Sequence, residues 1–154
     1  TRVQVTRPAQ APASQPSVAD FDALRLVSAS TPATVLSAGD AIPLTLTWQA
    51  APDYLPQALV VVVQALDAAG NVAASLEEEP RRGRYPTTQW QPRELVNDRH
   101  TLHLPADLPP GEYRLVVGLY EAAGGQRLTL RRGLLGPRDE ISFVVGTVTI
   151  RSTP

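Results

Sequence analysis

The residues able to do acid–base or metal chemistry are few and close together. Two histidines, His100 and His103, follow an acidic run at 77–79. On a strand, side chains three residues apart point to opposite faces, so these two imidazoles cannot bind one metal ion together. Neighbouring strand carboxylates do not face each other across a cleft, as a catalytic pair must. We expect each histidine to be a lone surface or half-buried side chain, and the acidic run to be solvated.

Other common chemistries are absent from the sequence. The chain has no cysteine, which excludes a disulfide framework, a thiolate metal site and a cysteine nucleophile. It has no GxSxG elbow, no phosphate-binding glycine loop and no HExxH motif. The sequence therefore predicts no enzyme, no cofactor and no metal. A net charge of −1 and a pI of about 6.1 give no overall attraction to nucleic acid or to an anionic membrane.

A second group of candidates lies in the segment "GRYPTTQWQPRELVNDRH", residues 83–100, which has no clear helix or strand period. A ligand or partner surface could be built there from Arg84, Tyr85, Trp90, Arg93 and Arg99, with Arg81 and Arg82 beside them. Aromatic faces flanked by polar groups could hold sugar rings. Alternatively, Tyr85 and Trp90 anchor a long ordered loop and guanidinium groups stack on them. We favour the structural role, because a chain with two tryptophans usually needs both for packing.

The surrounding pattern predicts strands. "IPLTLTWQ" alternates, with Ile42, Leu44, Leu46 and Trp48 on one face, and "RHTLHL" and "EYRLVVGLY" alternate in the same way. "ALVVVVQAL" is apolar on both faces, which indicates a central strand or one whose outer face is covered. "DAAGN" and "EAAGGQ" are predicted hairpin loops. No long segment has a helical period. We predict an all-β fold, an Ig-like or fibronectin type III-like antiparallel β-sandwich.

Three residues are predicted to be structural. Trp48 belongs to the core face of its strand. Tyr113 follows a Pro-Pro-Gly turn, and its hydroxyl is expected to bond backbone a few residues upstream, as in the tyrosine corner of Ig-like sandwiches. The alternation of "ISFVVGTVTI" changes phase at Gly146, which predicts a β-bulge with a positive φ there.

The chain is predicted to contain one folded domain. Residues 1–18 read as a short strand followed by a Pro-Ala-rich linker, and 19–154 as a single sandwich. The longest apolar run, Ala58–Val63, is far shorter than the roughly 18–20 residues of a membrane span, so we expect no membrane insertion of this piece. Without a leader peptide or an initial methionine, it reads as a fragment or processed product.

Several blocks resemble a known family: "LTLTWQA", "VVQALDAAGNVAA", the stretch from Gly83 to Leu128, and "VVGTVTI". They resemble the C-terminal soluble domain of large bacterial membrane glycosyltransferases of the dolichyl-phosphate-mannose–protein mannosyltransferase-like group, often from Chloroflexi. The resemblance covers roughly 21–151. Two departures are Arg93, where that pattern commonly has Gly and where a tight turn is therefore in doubt, and a longer "TLRRGLLGPRDE" segment, expected to form an extra loop or hairpin.

The resemblance implies an extracytoplasmic appendage without catalytic residues, because the family's catalytic acids lie in its membrane part. Our first hypothesis is a non-catalytic spacer or interaction module, monomeric as an isolated domain, whose partner is the membrane-embedded part of its own polypeptide. The alternative is a carbohydrate-binding module that uses Trp90, Tyr85 and nearby arginines. A hydrolytic enzyme is the weakest of the three. No nucleic-acid partner is expected.

Overall fold

The computed structural model describes residues 18–32, 34–131 and 140–152. Within these ranges the chain forms nine strands and no α-helix. They are β1 (Ala19–Asp20), β2 (Leu24–Ser30), β3 (Val35–Leu36), β4 (Ala41–Ala50), β5 (Leu59–Leu66), β6 (Val72–Glu78), β7 (Leu95–His103), β8 (Gly111–Glu121) and β9 (Phe143–Ile150). The predicted strand at 1–5 and the linker after it lie outside the described residues.

The strands form two sheets that share one apolar core. One sheet has the order β1-β2-β4-β7 and the other the order β3-β9-β8-β5-β6. Every pair is antiparallel except β3 with β9, which is parallel. The predicted all-β sandwich is confirmed, with this one short parallel pair as a departure. The loops "DAAGN" and "EAAGGQ" close as predicted, with Gly70 and Gly125 donating backbone hydrogen bonds to Asp67 and Glu121.

Strand β4 follows its predicted alternation and supplies the core of the first sheet. Ile42, Leu44, Leu46 and Trp48 are all buried, and the Trp48 ring meets Phe21 edge-on at a centroid distance of 5.9 Å. Pro43 pairs with β7, while the register with β2 reaches only as far as Thr45. A proline has no N–H to donate. At Pro43 the side of β4 that faces β2 has no strand partner, so no hydrogen bond is lost there.

Strand β5 is buried on both faces because the chain covers the outer face of its sheet. Val61 and Val63 face the core, while Val62 packs outward beside Gly118 of β8. The Arg127 guanidinium lies over Gly118 and donates to the Ile141 carbonyl oxygen at 2.8 Å. A Cβ on Gly118 would meet that carbonyl oxygen at 2.6 Å and would also collide with the guanidinium. The glycine therefore allows this close approach.

The bulge predicted near Gly146 is present, but its conformation differs from the prediction. Leu115 pairs with Gly146 and the next residue, Val116, pairs with Val144, so Val145 is the extra residue on β9. Gly146 does not have a positive φ, and a Cβ built there meets no atom within 4 Å. The prediction of a left-handed glycine was wrong, because a bulge can change the phase of a strand without a positive φ.

Tyr113 has the geometry predicted for the tyrosine corner. Its ring is buried at the start of β8, and its hydroxyl donates to the Pro109 carbonyl oxygen, four residues upstream, at 2.7 Å. The bond ties the Pro-Pro-Gly turn to the strand that follows it. The longer "TLRRGLLGPRDE" segment is described only at its two ends, where Leu130 pairs with Glu140.

We predict that Tyr113→Phe lowers the free energy of unfolding by about 1–3 kcal/mol, because the Pro109 carbonyl loses its donor while the ring still fills the core. Urea denaturation monitored by tryptophan fluorescence measures the change. Tyr120→Phe is the control, since the Tyr120 hydroxyl donates a hydrogen bond to Glu77 at the surface. If the two variants lose equal stability, Tyr113 contributes only by packing.

Candidate functional site

The candidate residues lie in one long connection between the sheets. Residues 79–94, here called the crossover, leave β6 in the five-stranded sheet and enter β7 in the four-stranded sheet. Two short turns, Pro80–Gly83 and Thr87–Gln89, are its only regular pieces. A connection of this length loses much conformational entropy when ordered, and its polar backbone needs partners.

A buried carboxylate provides several of those partners. Asp98 of β7 has no solvent exposure. Its Oδ1 accepts the backbone N–H of Arg81 at 2.7 Å, which attaches the first turn of the crossover to β7. Its Oδ2 accepts the indole N–H of Trp48 at 3.1 Å and lies 2.7 Å from His100 Nε2. A carboxylate buried in this way is tolerated because donors surround it.

This arrangement explains why the sequence did not reveal the start of β7. The strand begins at Leu95, inside the stretch that we judged to lack a strand period. Its inward positions are Val96, Asp98, His100 and Leu102, and all four are buried. Two polar residues at inward positions hide the alternation of apolar side chains on which strand prediction depends.

His100 joins the free edges of the two sheets. Nδ1 of its buried imidazole lies 2.5 Å from Oε2 of Glu78 at the end of β6, and Nε2 contacts Asp98. A neutral imidazole has one N–H, so only the protonated ring can donate to both carboxylates. Burial opposes the charge, but the hydrogen bonds and charges of Asp98 and Glu78 outweigh it and raise the pKa of His100. His100 is therefore a cationic bridge between two carboxylates.

The structure corrects two expectations about these groups. His100 is buried with two partners, and was wrongly predicted to be lone, whereas His103 is exposed on the opposite face as expected. The acidic run is not simply solvated, because Glu78 contacts His100 and Glu77 accepts the Tyr120 hydroxyl. Both ring nitrogens of His100 contact carboxylates, so neither is free to take a proton from a nucleophile, as a catalytic histidine does.

Trp90 anchors the second half of the crossover from inside. It is 1% exposed, and its indole N–H donates to the Tyr85 carbonyl oxygen at 3.0 Å. The Tyr85 ring stacks on it at a centroid distance of 6.1 Å, and the Tyr85 hydroxyl donates to Glu94 at 2.6 Å. The hydrogen bond to Glu94 raises the pKa of Tyr85 to about 12. Trp90 therefore has the structural role that the sequence favoured, and it cannot present its face to a ligand as the alternative surface would require.

A further anchor was not singled out from the sequence. The buried Tyr54 hydroxyl donates to the Thr87 carbonyl oxygen at 2.6 Å. Thr87 Oγ1 accepts the Leu59 backbone N–H at 2.9 Å and donates to the Gln57 carbonyl oxygen at 2.6 Å. These bonds fasten the second turn of the crossover to the start of β5. A threonine in a polar, proline-rich stretch carries no sequence signal for such a role.

Three arginines of the crossover have left-handed backbone. The φ angles are 57° at Arg81, 54° at Arg82 and 65° at Arg93. The tight turn that we doubted at Arg93 is therefore present, with the Arg93 N–H bonded to the Ala50 carbonyl oxygen at 3.0 Å and Gln49 Nε2 donating to Arg93 O at 2.8 Å. Left-handed backbone costs a non-glycine residue roughly 1–2 kcal/mol, and these buried bonds offset part of it.

The other predicted surface residues reach solvent. Arg84, Arg93 and Arg99 are exposed, and Tyr85 is half-buried. Arg99 projects from the outer face of β7, directly after the inward Asp98. The crossover and the first residues of β7 thus carry exposed arginines, and the carboxylate of Asp98 lies beneath them in the interior.

A separate groove opens at one end of the sandwich. Its volume is about 560 Å³, and the loops at 21–23, 51–57 and 121–129 form its walls. Leu55 is an exposed apolar wall, and the polar side chains of the groove are Asp22, Asp53, Tyr54, Gln57, Glu121, Gln126, Arg127 and Thr129. No group of three or more histidine, aspartate or glutamate side chains within the described ranges is placed to hold a metal ion. In the same part of the chain, no helix has the length and hydropathy of a membrane span.

Comparison with known proteins finds low-identity similarity to solved structures only. No protein-family model matches the chain, and no curated protein matches it. Among solved structures, it is similar to the Pseudomonas fluorescens alkylpurine DNA glycosylase AlkC bound to DNA containing an abasic site analog. The identity is 17% and the TM-score 0.48, over 84% of this chain and 31% of that one. It is also similar to the C-terminal domain of wzt, at 9% identity and a TM-score of 0.47, over 86% of this chain and 75% of that one.

We predict that the stability of the domain falls as pH rises above about 6.5, the ordinary pKa of histidine. The pKa of His100 is raised above its unfolded value, so its contribution is complete below about pH 6.5 and is lost as pH rises through the folded pKa. Urea denaturation at a series of pH values should show this fall in the wild type and a flatter profile in His100→Gln. His103→Gln is the matched control on the exposed face and should keep the wild-type profile. Identical profiles for wild type and His100→Gln would contradict the bridge.

We predict that Trp90→Ala lowers the free energy of unfolding by about 3–5 kcal/mol, because it leaves a cavity under the crossover. Thermal and urea unfolding followed by circular dichroism measure the loss. Leu55→Ala is the control, since that side chain is 76% exposed and should have little effect. A melting temperature unchanged by Trp90→Ala would mean that the indole does not anchor this segment.

Proposed function

We propose that this chain is a non-catalytic accessory module, an Ig-like, fibronectin type III-like sandwich on the extracytoplasmic face of a membrane glycosyltransferase-like protein. Its crossover serves as a rigid surface for a partner. One observation carries the proposal: Asp98 binds the crossover to β7, and His100 joins β7 to β6 through its contacts with Asp98 and Glu78. The groups best suited to acid–base chemistry therefore have a structural task.

Two further observations support the finer assignment. The tyrosine corner at Tyr113 lies at the start of β8, the next-to-last strand among the described residues, which is its usual place in Ig-like sandwiches. Most of the crossover, residues 83–94, also lies in the Gly83–Leu128 stretch that carries the family resemblance. A segment anchored by Trp90, Tyr54 and Asp98 can meet a partner without first being ordered, which lowers the entropic cost of binding.

A second candidate function is binding of a small carbohydrate, at a different place from the predicted one. Trp90 is buried, so the surface expected around it lacks its main aromatic platform. The groove at the end of the sandwich instead offers carboxylate and amide oxygens from Asp53, Gln57 and Gln126, beside the apolar wall of Leu55. Its volume lies within the range of small-ligand sites, and acceptor groups of this kind suit hydroxyl donors.

The first proposal is tested by assaying the whole chain for turnover of aryl glycosides and of lipid-linked sugars. We expect no product above the buffer rate. Turnover that disappears in Asp98→Asn, with the fold intact by circular dichroism, would overturn the non-catalytic assignment.

The second candidate is tested by titrating oligosaccharides into the chain and following amide shifts by nuclear magnetic resonance. Saturable shifts at Gln57 and Gln126, lost in a Gln57→Ala variant and retained in Tyr85→Phe, would establish the groove as the sugar site. Shifts confined to the crossover and lost in Tyr85→Phe would instead restore the originally predicted surface. No shifts at either place would leave the partner-binding role as the one function.

A further inference from the structure

The arginines of the crossover occupy positions that their backbone does not favour. Arg81 and Arg82 both have positive φ, and Gly83 follows with a φ of 82°. Glycine adopts this conformation without a steric penalty, so glycine at 81 and 82 would hold the turn more easily than arginine does. Strained positions of this kind cluster at binding and active sites, so these arginines are candidates for a functional role.

The side chains of these arginines make no stabilising contact with the described residues. The turn contributes to the fold through backbone, with the Arg81 N–H on Asp98 and the Arg82 N–H on the Glu79 carbonyl oxygen. The guanidinium groups of Arg81, Arg82 and Arg84 are exposed and make no hydrogen bond or ion pair with the described residues. Arg99, on the outer face of β7, is likewise exposed and has no hydrogen bond or ion pair with any described residue.

The carboxylates that could neutralise these cations are engaged elsewhere. Asp98 and Glu78 contact His100, and Glu94 accepts the Tyr85 hydroxyl and the Gln91 N–H. Of the nearby acids, Glu79 is exposed, and its carboxylate lies beside Gly83. Five arginines of residues 77–99 are therefore exposed, whereas only two of the five acids in that range, Glu77 and Glu79, are exposed, so the solvent-facing side of this stretch is positive although the overall charge is −1.

We propose that Arg81, Arg82, Arg84 and Arg99, here called the arginine edge, dock on the phosphate headgroups of an anionic membrane surface. The turn lies against the edge of β7 while Arg99 leaves its outer face, so the cations spread over a surface and do not converge on one small anion. Guanidinium groups bind phosphate oxygens in pairs of hydrogen bonds, which suits a plane of headgroups. The inference names the partner of the interaction module proposed above and rests on that proposal.

The test is co-sedimentation of the whole chain with vesicles of phosphatidylglycerol and phosphatidylcholine, and with phosphatidylcholine alone. We expect binding to the anionic vesicles that weakens with salt, and none to the neutral ones. Arg81→Gly with Arg82→Gly should weaken binding about thirtyfold, since each arginine near an anionic surface contributes about a fivefold factor. The same pair should raise the urea midpoint, because it relieves the left-handed strain.

Two further variants separate charge from backbone. Arg81→Gln with Arg82→Gln should lose binding equally without the gain in stability, and it carries the binding test if the glycine pair fails to fold. Arg114→Gln with Arg151→Gln removes the same charge from the other sheet and from the end of β9, and should bind within about twofold of wild type.

Several results would overturn the inference: no binding of wild type to anionic vesicles, equal binding by the glycine pair, or an equal loss in the Arg114 and Arg151 control. Retention on immobilised alginate without vesicle binding would assign the edge to an acidic polysaccharide and also overturn it. A failure here leaves the non-catalytic assignment standing, because that assignment fails through turnover and not through loss of lipid binding.

Discussion

The arrangement of this domain depends on one buried carboxylate. Asp98 is fully removed from water, yet it accepts from a tryptophan indole, a backbone amide and an imidazolium that belong to three different parts of the chain. A buried carboxylate or donor without a partner costs more free energy than a typical hydrogen bond contributes. The three contacts of Asp98 therefore form together. In this way Asp98 couples β4, β7 and the crossover into one unit.

The contacts of Asp98 are part of a wider separation of charge, with carboxylates in the interior and arginines at the surface. Asp98 and Glu78 contact His100 and Glu94 contacts Tyr85, whereas Glu79 and the arginines on the same stretch are exposed. The inner set fixes the crossover, and the outer set gives it a chemical character that a partner could recognise. The fixed crossover has strained backbone at Arg81 and Arg82. A purely structural loop would avoid this strain by having glycine at these positions.

The sequence predicts much of the fold and little of the site, for physical reasons. The alternation in β4 and β8 and the position of Tyr113 identify strands and a corner because apolar side chains must share one face. The Asp98–His100 pair was missed because polar residues at inward positions look like a loop until their partners, 17 to 50 residues away in sequence, are known. The bulge near Gly146 was found from its phase change, but its φ was not, since more than one bulge geometry gives the same change.

Amide hydrogen exchange at Arg81 tests the central claim most directly, because that amide lies in an exposed turn and donates to a buried acceptor. If Asp98 holds the crossover, the Arg81 amide exchanges only when β7 opens, and its protection approaches that of the Val96 and Leu102 amides, whose side chains are buried. Protection at Arg81 should also fall in Asp98→Ala while that of β8 persists. An Arg81 amide that exchanges near its intrinsic rate in the wild type, with β7 protected, would contradict the account.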